Sequence, residues 1–274
     1  MKNELSNKDL ATKLNIAREE GIHLVLGGGG VKGVAHIALL EFLESKNIRI
    51  HKMSGSSAGA LVGALYASGV STELMLDFFK TTPLFKYSWL NPFKGGLFDS
   101  YKYEKYLNDY LPELFEGLEI PLIVTAVNLQ SGKPRYFNYG KLLPAVLASC
   151  AVPAIFSPIE IDGFLYTDGG VMDNFPIEPF LKDSKMLVGS YVSKPPMESK
   201  QSLDSIVKVS QHANALLLHS ANEHKFDLVD LMIDFPLSDF GTFDLKSIDD
   251  MYQKAKQYLE SKCQIDGDSN IIAA

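Results

Sequence analysis

The chain has 274 residues, enough for one large domain or two small ones, and its 46% apolar and 22% charged residues are typical of an ordinary globular protein. The formal charge of −7 and the lack of a basic stripe argue against a nucleic-acid partner. No apolar run approaches the roughly 18 residues of a membrane span, and the charged N-terminus lacks the apolar core of a signal peptide. We therefore expect a cytoplasmic protein, peripheral at most to a membrane.

The first half of the chain alternates between predicted strands and helices. Residues 1–20 form a polar helical lead-in, and Ile22–Leu26 is a short β-rich run that ends at glycine, as buried strands often do. A helix is predicted over 34–47, a strand over 48–54 and a helix of small residues over 58–69. Strand, glycine turn and helix thus occur twice, which indicates a parallel sheet with crossover helices.

The second half adds three strand candidates, at 121–129, 185–192 and 228–235, and an amphipathic helix at 247–262. No stretch has the composition of an interdomain linker, so one α/β domain with a mostly parallel central sheet flanked by helices is the simplest account. The expected organisation is a lead-in over 1–20, the main domain over 21–240 and a C-terminal helix and tail over 241–274.

A candidate nucleophile lies at the second glycine turn, where "SGSSAGA" contains the pattern G-x-S-x-G with Gly55, Ser57 and Gly59. A serine on a tight turn from strand to helix has a strained backbone, and the flanking glycines let strand and helix pass without a clash of Cβ atoms. The turn raises the hydroxyl out of the sheet and directs the N-terminus of the next helix at the oxygen of the attacked carbonyl. The pattern therefore predicts Ser57 as a nucleophile.

A nucleophilic serine needs a base, and the sequence offers two kinds. A histidine would complete a triad, and the downstream candidates are His212, His219 and His224; the first two are seven residues apart and so share a helix face. The alternative is Asp168, which follows a strand-like run and precedes Gly169 and Gly170. A carboxylate serves as a base when its pKa is raised or when the hydroxyl lies within hydrogen-bonding distance.

The first glycine turn, "GGGVKG" at 28–33, matches the dinucleotide pattern G-x-G-x-x-G. A dinucleotide site also needs an acidic residue about 20 positions later, at the end of the second strand, and the serine turn occupies that place. We therefore interpret these glycines as N–H donors at a helix N-terminus, where an oxyanion is stabilised. A nucleotide-binding protein built on this loop is the rival hypothesis.

Three motifs now stand in order: "GGGVKG" (28–33), "GSSAG" (55–59) and "DGG" (168–170). Together they resemble the patatin-like phospholipase family, whose members use a Ser-Asp dyad. The segment 142–180 and "GGLFDS" at 95–100 are also similar to that family, so the resemblance covers roughly 20–240. It implies a three-layer α/β fold in which the nucleophile is Ser57 and the proton acceptor is Asp168.

The same resemblance implies that the oxyanion N–H groups come from Gly28, Gly29 and Gly30. The residues that support the three motifs are then Lys32, Gly33, Gly55, Gly59, Gly169 and Gly170. Lys32 has two interpretations, a solvated loop lysine or a cation that steers an anionic head group. Two cysteines far apart form no metal-ligand pattern, and Cys150, within an apolar run, is expected to be buried.

The function implied is hydrolysis of carboxylic esters of phospholipids or lysophospholipids through an acyl-serine, without metal or cofactor. An acyltransferase with the same dyad and a triad esterase with a downstream histidine are the alternatives. Twelve aromatic residues predict a cap that grips acyl chains or contacts a membrane surface, although the same rings could simply pack a helical subregion. They are Phe78, Phe79, Phe85, Tyr87, Trp89, Phe93, Phe98, Tyr101, Tyr103, Tyr106, Tyr110 and Phe115.

Overall fold

A computed structural model describes residues 7–82, 96–98 and 103–264. The helices of these residues are α1 Asn7–Glu20, α2 Val34–Ser45, α3 Ala58–Ala67, α4 Thr72–Thr81, α5 Glu104–Leu107, α6 Leu142–Ser149, α7 Ile206–Asn222 and α8 Ile248–Gln264. The strands are β1 Ile22–Leu26, β2 Ile50–Ser56, β3 Gly96–Phe98, β4 Leu122–Asn128, β5 Lys133–Phe137, β6 Ala154–Phe156, β7 Ile159–Ile161, β8 Phe164–Asp168, β9 Leu187–Tyr191 and β10 Leu231–Asp234.

The central sheet has the strand order β10-β9-β1-β2-β4-β8-β7, with β5 also paired to β4. The strands from β10 to β4 run parallel, while β5, β8 and β7 pair antiparallel. The mostly parallel sheet flanked by helices is thus confirmed. The main correction concerns β5 and β7, which were not predicted: β7 and β8 form a hairpin around Asp162 and Gly163, both with positive φ. Asp-Gly is a standard sequence signal for such a turn.

The two faces of the sheet have separate cores. On β1, Leu24 and Leu26 point into the larger core with α2, α3 and α8, whereas Val25 points to the other face. That second face is covered by the segment after β8, through Phe175 and its neighbours. Helix α2 is apolar on nearly all sides because it lies between the sheet and α8, and each of its fully buried leucines contributes about 1.5–3 kcal/mol.

The C-terminal helix belongs to the same core. Met251, Ala255 and Leu259 of α8 are buried and join the cluster that contains β1 and α2. Its limits, Ile248–Gln264, lie within two residues of the predicted helix. The proposed division of the chain at 20/21 and 240/241 stays a prediction.

The edge of β4 brings distant parts of the chain together. Strand β5 pairs with residues 124–128 of β4. Strand β2 pairs with the first part of β4 and β8 with the second part. Since β5 occupies one edge of β4, both β2 and β8 lie on its other edge. They run towards each other there, and β2 ends opposite Thr125 while β8 ends opposite Ala126. The residues at the two strand ends therefore meet.

Candidate active site

The serine turn has the strained geometry that its sequence predicts. Strand β2 ends at Ser56, helix α3 begins at Ala58, and Ser57 between them has φ 51° and ψ −122°. A non-glycine residue in such a conformation costs about 1–3 kcal/mol. Gly59 permits the turn, because a Cβ there would collide with the main-chain carbonyl of Leu26.

Ser149, at the end of α6, holds this turn in place and was missed in the sequence. The Ser57 N–H donates to Ser149 Oγ at 2.8 Å, and Ser149 Oγ donates in turn to the Thr125 carbonyl at 2.6 Å. The second bond uses the hydroxyl proton, so a lone pair of Ser149 faces the Ser57 amide. Both groups are buried, and the pair of bonds offsets part of the backbone strain.

Asp168, at the end of β8, meets the hydroxyl of Ser57. Ser57 Oγ donates to Asp168 Oδ2 at 2.6 Å, and Asp168 Oδ1 accepts the Gly170 N–H at 2.7 Å. Burial raises the pKa of Asp168 from 3.8 to about 6, although the bonds from Ser57 and Gly170 favour the charged form and oppose this rise. The carboxylate is therefore more basic than an exposed aspartate yet ionised at neutral pH.

The three downstream histidines are not brought to this pair. His219 Nδ1 lies 3.3 Å from Tyr191 Oη and its Nε2 lies 3.5 Å from Glu223 Oε2. His212 is half-buried on the same helix, and His224 is exposed. Among the described residues, neither Ser57 nor Asp168 forms a hydrogen bond with a histidine.

The histidine that does contact the site region is His36, which the sequence reasoning did not consider. It is fully buried on α2, and burial lowers its pKa from 6.5 to about 4. Its Nε2 lies 2.8 Å from the Gly27 carbonyl and its Nδ1 lies 2.8 Å from Ser190 Oγ. Because a carbonyl only accepts, we assign the proton to Nε2. A polar residue inside the apolar run "VAHIALL" was the available signal.

The glycine loop lies directly against the nucleophile. A Cβ built on Gly28 would stand 3.0 Å from the Ser57 Cβ. The Gly28 N–H donates to the Asn174 carbonyl at 3.1 Å, and the Val31 N–H donates to the Thr242 carbonyl at 3.0 Å. In the part of the chain that the structure describes, the N–H groups of Gly29 and Gly30 have no protein acceptor. Of the three predicted oxyanion amides, these two are free and that of Gly28 is engaged.

Two neighbouring residues differ from expectation. Lys32 is only 5% exposed, so it is not a solvated loop lysine. Burial lowers its pKa, and the negative charge of Asp239 opposes this effect. Cys150 is half-buried instead of fully buried, because it borders a cavity, and its Sγ lies 3.3 Å from the Ser57 carbonyl oxygen. A role for Lys32 in steering a head group stays a prediction.

An apolar cavity opens beside Ser57 and Gly30. Its walls come from α3, α4, α5, α6 and β6, and include Leu61, Phe78, Phe79, Tyr103, Leu107 and Phe156. Three of the twelve predicted cap aromatics are in these walls, while Tyr106, Tyr110 and Phe115 pack in or against the larger core. The remaining cap predictions lie outside the described residues: Phe85, Tyr87, Trp89, Phe93, Tyr101 and the side chain of Phe98.

Within the described ranges, no helix is both long enough and apolar enough to cross a bilayer. The same residues contain no group of three or more histidine, cysteine, aspartate or glutamate side chains placed to hold a metal ion.

Comparison with known proteins agrees with the three motifs. The family model described as patatin-like phospholipase matches residues 24–181, more than half of the chain and all three motifs. The solved structure of VipD from Legionella pneumophila has a TM-score of 0.54 at 15% identity, over 89% of this chain and 67% of that one. At this identity the likeness concerns the fold alone.

Two curated relatives both have names that contain NTE. An uncharacterized NTE family protein of Mycobacterium tuberculosis is 34% identical over 161 residues, 58% of this chain and 45% of that protein. A lysophospholipase NTE1 of Cryptococcus neoformans is 30% identical over 176 residues, 58% of this chain and 10% of that protein. The matched region thus spans less than half of either relative.

Proposed function

The chain belongs to the patatin-like phospholipase family, and on that premise we propose that it hydrolyses carboxylic esters of lipids with Ser57 as nucleophile and Asp168 as proton acceptor. The observation that carries the proposal is the 2.6 Å hydrogen bond from Ser57 Oγ to Asp168 Oδ2 beside an apolar cavity. A positioned base within hydrogen-bonding distance of the hydroxyl is the arrangement that activates a serine.

In the proposed acylation step, Ser57 Oγ forms a bond to the ester carbonyl carbon and its proton passes to Asp168 Oδ2. The carbonyl oxygen becomes an oxyanion, which the free amides of Gly29 and Gly30 stabilise. The carbon–oxygen bond to the alcohol then breaks, and Asp168 returns the proton to the leaving alcohol. Water, deprotonated by the same carboxylate, attacks the acyl-serine; the bond from the acyl carbon to Ser57 Oγ breaks, Asp168 returns the proton to Ser57 Oγ, and the fatty acid is released.

The shape and polarity of the cavity support a lipid substrate. Its walls are almost wholly apolar and begin at Ser57, so they suit an acyl chain whose carbonyl lies at the hydroxyl. The name of the Cryptococcus relative, a lysophospholipase, supports a lysophospholipid as the substrate. We place the enzyme's working position at a membrane surface, where such lipids reside.

Labelling with a fluorophosphonate followed by peptide mass spectrometry tests the nucleophile. We expect a single adduct on Ser57 and none in Ser57→Ala. Ser56→Ala is the matched control, because the adjacent Ser56 hydroxyl is fully buried and has no hydrogen-bond partner in the described chain. An adduct on another serine would overturn the assignment.

The base is tested by Asp168→Asn, which keeps the acceptor for the Gly170 amide but cannot take a proton. We expect labelling and ester hydrolysis to fall by about 100–10,000-fold, the usual contribution of a general base. Labelling at the full wild-type rate would exclude Asp168 as the base. Product analysis with an added lysolipid acceptor separates release of fatty acid from acyl transfer, the alternative with the same dyad.

A further inference from the structure

The carbonyl group of Gly28 accepts hydrogen bonds from two side chains, whereas the amides of Gly29 and Gly30 have no protein acceptor among the described residues. Asn174 contacts Gly28 twice: its carbonyl accepts the Gly28 N–H at 3.1 Å, and its side-chain Nδ2 lies 3.4 Å from the Gly28 carbonyl oxygen. Ser193 Oγ also donates to that carbonyl oxygen. Gly28 is therefore fixed from two sides by residues that follow β8 and β9.

Fixing this carbonyl determines where the next amide points. The C=O of Gly28 and the N–H of Gly29 belong to one planar trans peptide, so they point in opposite directions. When Asn174 and Ser193 hold the oxygen, the Gly29 N–H is turned away from them. No peptide rotation is then left to misalign this donor.

Asn174 is itself rigidly placed, which suits such a role. It is 4% exposed and follows Asp173, whose carboxylate is bonded to Lys225 and Tyr136. On its other side, the N–H of Phe175 donates to Asn222 Oδ1 at 3.2 Å. Both chain neighbours of Asn174 are thus anchored in the protein interior.

We propose that Asn174 is a positioning residue that links the loop carrying the catalytic base to the loop carrying the oxyanion amides. This inference rests on the proposed hydrolase function. Asn174 touches no reacting atom; it acts by holding the Gly28 peptide so that the Gly29 amide faces the developing negative charge. The same segment, from Asp168 to Asn174, would then set both the proton acceptor and the oxyanion donor relative to Ser57.

The test compares two asparagines whose side chains form hydrogen bonds to backbone groups. Asn174→Ala removes the side-chain donor to Gly28, whereas Asn128→Ala removes the Oδ1 that accepts the N–H groups of Gln130 and Ser131 in the turn after β4. Complete loss of one oxyanion donor costs about 100–1000-fold, so we expect misorientation in Asn174→Ala to lower kcat about 10–100-fold with KM within about twofold. Asn128→Ala should keep kcat within about twofold of wild type, even where it lowers the melting temperature.

A second readout separates positioning from general damage. The second readout is the affinity for a long-chain trifluoromethyl ketone. Ser57 Oγ adds to the carbonyl carbon of this inhibitor, the serine proton passes to Asp168, and the ketone oxygen becomes an oxyanion. Its affinity should weaken in Asn174→Ala by the same factor as kcat, while the affinity for a free fatty acid should not change. A fall in kcat without this loss, or a kcat equal to that of Asn128→Ala, would overturn the proposal.

Ser193→Ala removes the other side-chain donor to the Gly28 carbonyl oxygen without creating a cavity in the core. This variant tests the proposal if Asn174→Ala does not fold. We expect a smaller fall in kcat, about 3–10-fold, and a matching loss of ketone affinity, since Asn174 still holds the oxygen. Unchanged kcat and ketone affinity would count against the proposal. Failure of the hydrolase function itself would look different: Ser57→Ala would then retain wild-type ester hydrolysis.

Discussion

The loop that follows β8 carries a buried carboxylate at each end, and the two ends are built differently. Asp173 is 2% exposed and bonded to Lys225 Nζ at 2.7 Å and to Tyr136 Oη at 2.8 Å. Within the described residues, Asp168 is 5% exposed and receives a hydroxyl and one amide, with no cation bonded to it. Among the same residues, the charge of Asp173 is compensated by a cation, whereas that of Asp168 is not.

This difference separates a structural carboxylate from a reactive one. Burial raises the pKa of both carboxyls, but at Asp173 the charge and hydrogen bond of Lys225 oppose the rise, and Lys225 and Tyr136 occupy the carboxylate oxygens. At Asp168 burial raises the pKa to about 6, and one oxygen accepts the proton of the Ser57 hydroxyl. The buried charge of Asp168 therefore lowers the free energy of unfolding. Asp173, five residues later, keeps the same loop in place through its ion pair with Lys225.

The largest change in the free energy of unfolding is expected from removing the cation that pairs with Asp173. Lys225→Met leaves the buried Asp173 without its cation, and removal of one partner of a buried pair costs about 3–5 kcal/mol of the free energy of unfolding. Urea denaturation at pH 8 measures the loss. The loss should shrink at acid pH, where Asp173 can take up a proton in place of the cation.

Lys208→Met provides the matched control for this prediction. Lys208 pairs with Asp204 at 2.8 Å, but both side chains are more than half exposed. We expect a change below about 1 kcal/mol, as for most surface ion pairs. Equal losses in the two variants would contradict the distinction between the two kinds of pair.

A substitution at Asp168, the carboxylate without a cation among the described residues, should raise the free energy of unfolding instead of lowering it. The pKa of Asp168 is about 6 in the folded protein and 3.8 ordinarily, so ionisation above pH 6 destabilises the folded state by about 3 kcal/mol. Asp168→Asn removes this cost, and its free energy of unfolding should exceed that of wild type by about this amount at pH 8. The gain should diminish as the pH falls from 6 and vanish below 3.8. A variant less stable than wild type at pH 8 would contradict the desolvation argument.

The smallest effect concerns the pH dependence of the reaction. Only ionised Asp168 can accept the proton, so kcat/KM should rise about tenfold per pH unit below 6 and level off above it. The residual activity of Asp168→Asn should show no such break. A break near 3.8 in wild type would mean that the carboxylate is not desolvated in the working enzyme.

The local features were largely readable from the amino-acid sequence. Strand β1, helices α2 and α3 and the serine turn follow from apolar periodicity and glycine positions, which act over a few residues. The hairpin of β7 and β8 also had a signal, the Asp-Gly turn, but its three-residue strand was too short to notice. The contacts of His36 and Ser149 were not predicted, because a single polar residue in an apolar helix gives no periodic pattern that indicates its hydrogen-bond partner.

By itself, the sequence determined that a strained serine follows one strand, that glycines follow another and that an aspartate precedes a third turn, because each depends on backbone geometry between neighbouring residues. Only the tertiary structure decided that β2 and β8 meet on one edge of β4, which brings Ser57 within 2.6 Å of a carboxylate 111 residues away. It also decided, for the residues that the structure describes, which carboxylate has a cation and which glycine amides lack a protein acceptor. These properties depend on what lies beside a group in space, and burial and hydrogen bonding between distant segments arise only when the sheet assembles.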